Sequence, residues 1–281
     1  MKEDLRETPL LMVEPPLQNK ETRLKLVELI FEKLEGSGLA LYKSALLTSY
    51  LYSKENSFIV DIGANYTHIT PIFEGFVVSK SAVKLDKGGK YITDKLQEIL
   101  IEKNGGRTKL PYFRNPEIFS NPMLSKHCYS EFYDDVKKAV CKVHESSVKN
   151  LCFNKVVDNK VYELPDDQSL VVSREYYDVP ELLFRNNEED DDPLPLPKAV
   201  NLAKDKIPLD KRKDILSNII LSGGTSNLHG LADRLQKVLS ESQEDSNFFG
   251  KIKIWYFVLN SAETSLNGNT QVGWELRLLL A

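Results

Sequence analysis

Phe58-Ile-Val-Asp-Ile-Gly-Ala-Asn-Tyr-Thr-His-Ile-Thr-Pro-Ile-Phe-Glu-Gly75 reads as an apolar strand that reaches Asp61, turns through Gly63 and returns as a second strand. A carboxylate at the end of a buried strand can orient metal-bound water, and a glycine beside it lets backbone amides approach a phosphate with no Cβ in the way. The stretch therefore has the form of half a nucleotide clamp. Asp-x-Gly also occurs in turns that only reverse the chain, so the flanking segments decide between the two.

Working outward, apolar residues at helical spacing (Leu24, Leu26, Val27, Ile30, Phe31 and Leu34) predict an amphipathic core helix over 21–34, with Asn19 as N-cap and Gly36 and Gly38 as terminators. An apolar run over 39–52 leads through a polar turn at 53–56 into the strand ending at Asp61. Beyond the hairpin, Gly88 and Gly89 mark a tight entry to a helix over 91–101 that carries Ile92, Leu96, Ile99 and Leu100. Residues 104–121, rich in Gly, Pro, Asn and basic side chains, read as an exposed insertion. Helical spacing resumes over 130–148, and strand alternation follows near 160–164 and 169–172. The acidic run 186–192 and the prolines to Pro197 read as a solvated linker. Strand residues within 214–221 then run into Ser222-Gly-Gly-Thr-Ser-Asn227, and a helix is predicted over 231–239. Strand, glycine loop and helix in that order can receive an anion on the loop amides and helix N-terminus, or can simply reverse the chain. The grammar throughout is α/β.

Composition narrows the function classes. With 281 residues, 41% of them hydrophobic, the chain is long enough for one large or two small cores. A net charge of −4 and a pI near 5.7 disfavour a surface built for nucleic-acid phosphates, although Lys103, Arg107 and Lys109 could form a local basic stripe or an ordinary solvated loop. No uncharged run approaches the ~18 residues that span a bilayer, and the expected compartment is cytosol or nucleus. Cys128, Cys141 and Cys152 fit reduced packing residues better than a disulfide framework. His127-Cys128 and Cys141 with His144 invite a zinc reading, but no CxxC pair accompanies them.

In order along the chain, five segments resemble actin and the actin-related proteins from Val13 to about Glu275. They are Val13-Glu-Pro-Pro-Leu-Gln-Asn-Lys-Glu-Thr-Arg23, the hairpin from Asp61 to Gly75, Leu85-Asp-x-x-Gly89-x-x-x-Thr93-Asp94, Asp210-x-Arg212-Lys213-Asp214-Ile215, and Leu221-Ser-Gly-Gly-Thr225 with Gly230-x-x-Asp233-Arg234. The resemblance implies an actin-like, two-lobed ATPase fold of α/β class, each lobe on a ribonuclease-H-like sheet, with ATP and Mg in the cleft. It implies that Asp61 orients the metal-bound water, that amides around Gly63 and Ala64 meet phosphate, and that His68 lies near the attacking water. Gly223, Gly224 and Thr225 would border the nucleoside, Lys137 would contact it, and Gly89 would line the cleft.

The departures are equally specific. Ser44 stands where actin has its water-positioning glutamine, Ala64 and Asn65 replace an acidic residue and a glycine of the hairpin, and Lys138 replaces a ribose-binding glutamate. Hydrolysis is expected to be slow or absent and nucleotide affinity weakened. No first phosphate loop precedes Val13, and the lid and the C-terminal helices have no counterpart, so a truncated fold is expected. Its outer-lobe remnant would be 1–52 completed by 265–281, its inner subdomain 53–87 with 188–264, and its second-lobe subdomain 88–187 with the insertion 104–121. Ser44 and the insertion around Leu110-Pro-Tyr look most like the nuclear actin-like subunit of chromatin remodellers and histone acetyltransferase complexes. That class implies a scaffold that clasps a helix of the remodeller motor subunit and pairs with actin or another actin-related protein. A cytoplasmic actin-like cytoskeletal protein and a slow ATPase of the same superfold are the alternatives.

Overall fold

The computed structural model describes residues 5–103, 120–146, 159–163, 169–185, 194–241 and 254–256. A mixed sheet organises them. Strands β3 (Ser57–Ile62), β4 (Thr67–Phe73) and β5 (Phe76–Val77) are successive antiparallel neighbours, and β6 (Val83–Leu85) also pairs with β4. On the other side of β3 lie β9 (Ile219–Ser222) and β10 (Ile254–Tyr256), both parallel to it. Three antiparallel strands followed by two parallel ones is the arrangement the ribonuclease-H-like reading requires.

Strand alternation divides the sheet's side chains between two faces. Phe58, Val60, Ile62, Ile69, Ile219 and Leu221 belong to one buried cluster. It is completed by α3 (Gly89–Lys103), α4 (Pro122–Val140), α5 (Leu196–Asp205) and α7 (Leu231–Glu241). Ile59, Ile72 and Ile220 belong to a second cluster on the opposite face, beneath Ala45 and Leu46 of α2 (Ser44–Leu51). Helix α6 (Leu209–Leu216) leads into β9 and buries Ile215 and Leu216. The β4–β5 turn is Glu74-Gly75, both at positive φ, the geometry of a tight two-residue hairpin; the Asn56 side chain accepts the Glu74 amide at 2.7 Å. The strands expected near 160–164 and 169–172 are β7 (Lys160–Glu163) and β8 (Ser169–Val172), and they pair antiparallel.

Four expectations need correction. The helix predicted over 21–34 is α1 (Lys20–Glu28) followed by a wide π turn at Leu29–Lys33, and only Ile30 on it is buried. Leu24 is 59% exposed and Phe31 45%, because nothing among the described residues packs on that side. The helix predicted over 130–148 begins eight residues earlier, at Pro122, and ends at Val140; Asn121 caps it by accepting the amides of Met123 and Leu124. The end of the expected linker is the first turn of α5, where Pro197 is tolerated because an N-terminal amide has no helical partner. The strand expected within 214–221 is confined to β9, since residues to Leu216 are helical. Residues 186–193, most of the insertion 104–121, Cys152, Arg107, Lys109 and 265–281 lie outside the described residues.

The segment before the main sheet is thinly covered. Strands β1 (Leu10–Glu14) and β2 (Leu39–Lys43) pair in parallel, and neither has a second strand partner among the described residues. Leu11, Val13 and Tyr42 are exposed on one face of this ribbon, while Leu10, Met12, Leu39 and Leu41 are half-buried on the other. Parallel strands with apolar residues on both faces belong in sheets covered on both sides. Buried Glu14 is held by Arg23 at 3.3 Å.

Candidate functional site

Asp61, His68 and Ser222 occupy adjacent positions on three neighbouring strands: Asp61 pairs with His68 across β3–β4 and with Ser222 across β3–β9. By alternation all three share the face on which α2 packs. Burial raises the Asp61 carboxyl above its ordinary range, with the His68 charge and the Ser222 hydroxyl only partly opposing it. Burial lowers the His68 imidazole, against the pull of Asp61, so it is largely neutral at pH 7. The row thus offers a carboxylate near the C-terminal end of an interior strand beside a largely uncharged base.

The turn between β3 and β4 is held from below. The Gly63 carbonyl accepts the Gly89 amide at 2.9 Å and the Thr225 hydroxyl at 2.9 Å, and the Ala64 carbonyl accepts the Lys90 amide at 2.7 Å. Among the described residues no peptide bond is cis. In a trans peptide the C=O and the following N–H point in opposite directions, so the amides of Ala64 and Asn65 point away from α3. Neither donates to a described residue. Two successive amides facing outward at an exposed turn are an anion-accepting arrangement. Close approach explains the glycines beneath: a Cβ on Gly88 would lie 2.5 Å from the Ala64 oxygen, and one on Gly89 2.5 Å from Thr225 Oγ1.

Beside the turn opens a cleft of about 540 Å³, walled by the hairpin tip, α3, α4 and the loop after β9. Ala64, Gly89, Lys137, Gly224 and Thr225 line it. Gly63 supplies a carbonyl behind the wall, and Gly223 packs against the end of β3, where its φ of 87° excludes most side chains. Asp61 and His68 are not part of that wall. The residues singled out from the sequence therefore fall into two groups: an amide-and-loop wall on the cleft, and the Asp61–His68 pair on the α2 face.

Lys137 is a strut. Its buried ammonium donates to the Gly89 carbonyl at 3.1 Å, to Thr93 Oγ1 at 2.9 Å and to Asp134. An ammonium has three protons, and these three acceptors engage them all, tying α3 to α4. Lys138 bonds Asp134 at 2.6 Å and approaches Asp135 at 3.6 Å. Burial pushes the Asp134 carboxyl up, but the two lysines outweigh it and hold it below the usual carboxylate range. Asp134 escaped the sequence reading, although its i+3 and i+4 spacing to the two lysines is the signal that could have found it. Among the described residues no group of three metal-ligating side chains occurs, at the His127–Cys128 or Cys141–His144 positions or elsewhere. Cys141 is buried, its thiol pushed up to about 12 by desolvation, and Lys103 pairs with Glu175 at 2.9 Å.

A sheet of this strand order, with an Asp-x-Gly hairpin and a glycine loop clamped against each other, coincides with a family match: the family model described as Actin covers residues 1–263. The chain belongs to the actin family. It is 29% identical to actin-related protein 4 of Arabidopsis thaliana over 269 residues, 86% of this chain and 60% of that protein. It is 30% identical to actin-related protein 4 of Oryza sativa subsp. japonica over 262 residues, 84% of this chain and 59% of that one. Centractin of Saccharomyces cerevisiae is 29% identical over 245 residues, 83% of this chain and 57% of the yeast protein. The chain thus spans about 60% of the length of the relatives it matches. Its fold is actin-like, and actin-family folds generally hold ATP with a divalent metal.

Proposed function

We propose that this chain is an actin-related scaffold subunit of a nuclear chromatin-remodelling or histone acetyltransferase complex, with nucleotide, where bound, acting as a structural filler. The carrying observation is the β1–β2 ribbon with its neighbouring helix. Leu11, Val13, Leu24, Phe31 and Tyr42 are all exposed, and a parallel pair with no further strand beside it among the described residues is an edge that a partner can complete. Similarity to actin-related protein 4 of two plants supports the nuclear class, as do Ser44 and the 104–121 insertion in the sequence. The partners follow from that class: a helix of the remodeller motor subunit, and actin or another actin-related protein.

The residues fit Mg-ATP as a ligand. The outward amides of Ala64 and Asn65 would receive phosphate and Gly224 and Thr225 would border the nucleoside, while Asp61, off the cleft wall on the α2 face of the same hairpin, would reach a metal only through water. Bound Mg-ATP supplies charge and bulk that tie the hairpin to the glycine loop and stabilise the closed arrangement by mass action. His68 and Asp61 alone polarise water weakly, and Ser44 is too short to position it, so turnover is expected to be slow or absent.

The test is affinity purification of the tagged chain from nuclear and cytoplasmic extracts, with co-purifying proteins identified by mass spectrometry. Motor or acetyltransferase subunits recovered together with actin support the scaffold reading. Recovery of only cytoskeletal proteins overturns the nuclear assignment in favour of the cytoplasmic one, consistent with the similarity to centractin.

A further inference from the structure

Charge is unevenly spread along the chain. Residues 198–214 carry six lysines and arginines against three aspartates, in a protein whose net charge is −4. They include most of α5, the turn at 206–208 and the first part of α6, and the fold gives their cations two different tasks. Arg212 is internal: its Nη2 donates to the carbonyls of Asp205 and Ile207, each at 3.1 Å, and folds the start of α6 back on the end of α5. Lys211 lies over the Phe73 ring at 4.4 Å, and Lys204 approaches Asp205 at 3.9 Å. Lys198, Lys206 and Lys213, by contrast, are exposed, and none pairs with an acidic side chain among the described residues. The exposed Lys80 adjoins them, because the neighbouring Ser81 hydroxyl donates to the Lys206 carbonyl at 2.7 Å.

The apolar residues between these lysines are out of place on a solvated face. On α5, Ala199, Val200 and Ala203 are buried, which leaves Lys198 and Leu202 one turn apart on the outer stripe. On α6, Ile215 and Leu216 are buried, which leaves Leu209 and Lys213 one turn apart in the same way. Lys206, the C-cap of α5, stands between the two pairs. Leu202 is 42% exposed and Leu209 71%. Cations and leucines therefore alternate through the corner: Lys198, Leu202, Lys206, Leu209, Lys213. Lysine stems cover apolar surface while their ammonium groups stay in water, so the corner offers apolar seats ringed by donors. An acidic surface with apolar anchors complements it in both respects. A nucleic-acid backbone fits it less well, because it leaves the leucines uncovered and because Asp210 and Asp214, on the adjoining stripe of α6, repel phosphate.

We propose that the α5–α6 corner is a docking surface for an acidic, amphipathic polypeptide segment of a partner protein, whose apolar side chains seat on Leu202 and Leu209 and whose carboxylates meet Lys198, Lys206 and Lys213. The surface shares no residue with the β1–β2 ribbon or with the cleft beside the hairpin. It is a separate contact, and it stands whether or not nucleotide binds.

The probe is a fluorescein-labelled peptide of repeated Glu-Glu-Leu-Leu units. Its binding to the full chain is measured by fluorescence anisotropy beside a Glu-Glu-Ser-Ser peptide of the same length and a labelled DNA duplex. The expected result is that the leucine peptide binds at least about fivefold tighter than the serine one, with affinity falling as salt rises. Lys206→Gln/Lys213→Gln should weaken the leucine peptide by about tenfold, and Leu209→Ser should remove most of its advantage over the serine peptide. Thermal unfolding checks that each variant folds; if either does not, the other decides. Equal binding of the two peptides overturns the apolar seats and the proposal with them. Tighter binding of DNA than of the leucine peptide overturns it in favour of a nucleic-acid surface. Failure of the leucine peptide to bind, or unchanged binding by the folded lysine variant, overturns the assignment to this corner.

Discussion

The Thr225 hydroxyl donates to the Gly63 carbonyl across 2.9 Å, joining the glycine loop to a hairpin 162 residues earlier in the chain. The same oxygen takes the Gly89 amide, so one acceptor binds the hairpin, the start of α3 and the loop after β9 into a single wall. Thr225→Val keeps the shape and removes the donor. Because Gly89 still satisfies the carbonyl, the expected loss is about 1 kcal/mol of unfolding free energy in urea. An unchanged midpoint would mean that the hydroxyl does not join the two segments in solution.

The two glycines of the loop should respond oppositely to alanine. At Gly223 a Cβ would lie 2.3 Å from the Ile62 oxygen and 2.6 Å from Asp61 Oδ1, on a backbone at φ 87°. Gly223→Ala is expected to cost about 3 kcal/mol or to prevent folding. At Gly224 nothing lies within 4 Å of the added carbon, so Gly224→Ala should keep stability within about 0.5 kcal/mol while placing a methyl at the cleft wall and weakening nucleotide binding. Comparable thermal shifts for both variants would contradict the loop geometry.

Asp61 should destabilise the chain when ionised. Its folded-state pKa is raised by burial, so the folded chain holds the proton more tightly than the unfolded chain, and this group's contribution to stability falls as pH rises through the folded pKa. Asp61→Asn, neutral at every pH, is therefore expected to raise stability at pH 7 and to flatten that limb of the stability profile. It should weaken magnesium-dependent nucleotide binding at the same time. A less stable variant at pH 7 would show that the carboxylate is better solvated than its position implies.

The Lys137 strut predicts a stability loss with an acid signature. Lys137→Met leaves the Gly89 carbonyl and Thr93 short of a donor and Asp134 with one cation, at a cost of about 2–3 kcal/mol, below the full value for a buried pair because Lys138 remains. Asp134 has a depressed pKa in the folded chain against 3.8 as reference. Its contribution is present above the unfolded value and lost as pH falls through the folded one. The difference between wild type and variant should shrink below about pH 4 in acid titrations of the unfolding midpoint.

Thiol chemistry gives a check on the core. With its thiol pushed up to about 12, Cys141 carries almost no thiolate at pH 8, and iodoacetamide should leave it intact in the native chain while modifying the half-buried Cys128. Peptide mapping that finds Cys141 alkylated before unfolding would place α4 differently from its position here.

The parts legible in the sequence are those whose physics is local. The Asp61–Gly75 hairpin, the glycine loop after β9 and the helix after it each announce themselves through neighbours in the chain. The Pro-Leu-Pro-Leu-Pro run reads as a linker because proline opposes helix interiors, yet Pro197 sits in a first turn where its missing amide is harmless. Periodicity at 21–34 says which face seeks burial; whether anything meets that face is a property of the rest of the fold, and Leu24 and Phe31 remain exposed. At the site, strand alternation sends Asp61 and His68 to one face while the cleft forms beside the other, which a motif match does not encode. The acceptors of Lys137 at Gly89 and Thr93 are 48 and 44 residues away and meet it only after α3 and α4 pack.

On the proposed scaffold role, the β1–β2 ribbon, whose edge and outer face no described residue covers, would tie the cellular amount of this chain to the amount of another molecule. A copy without its partner shows chaperones and proteases the surface by which they recognise immature proteins, and a small change in the fraction left uncovered shifts the fraction degraded. Bound copies hide that surface and persist. Supplying more of the gene would then raise synthesis and turnover together, leaving the standing level set by the scarcer member of the pair, and the ribbon would work as a stoichiometry gauge for the proposed assembly.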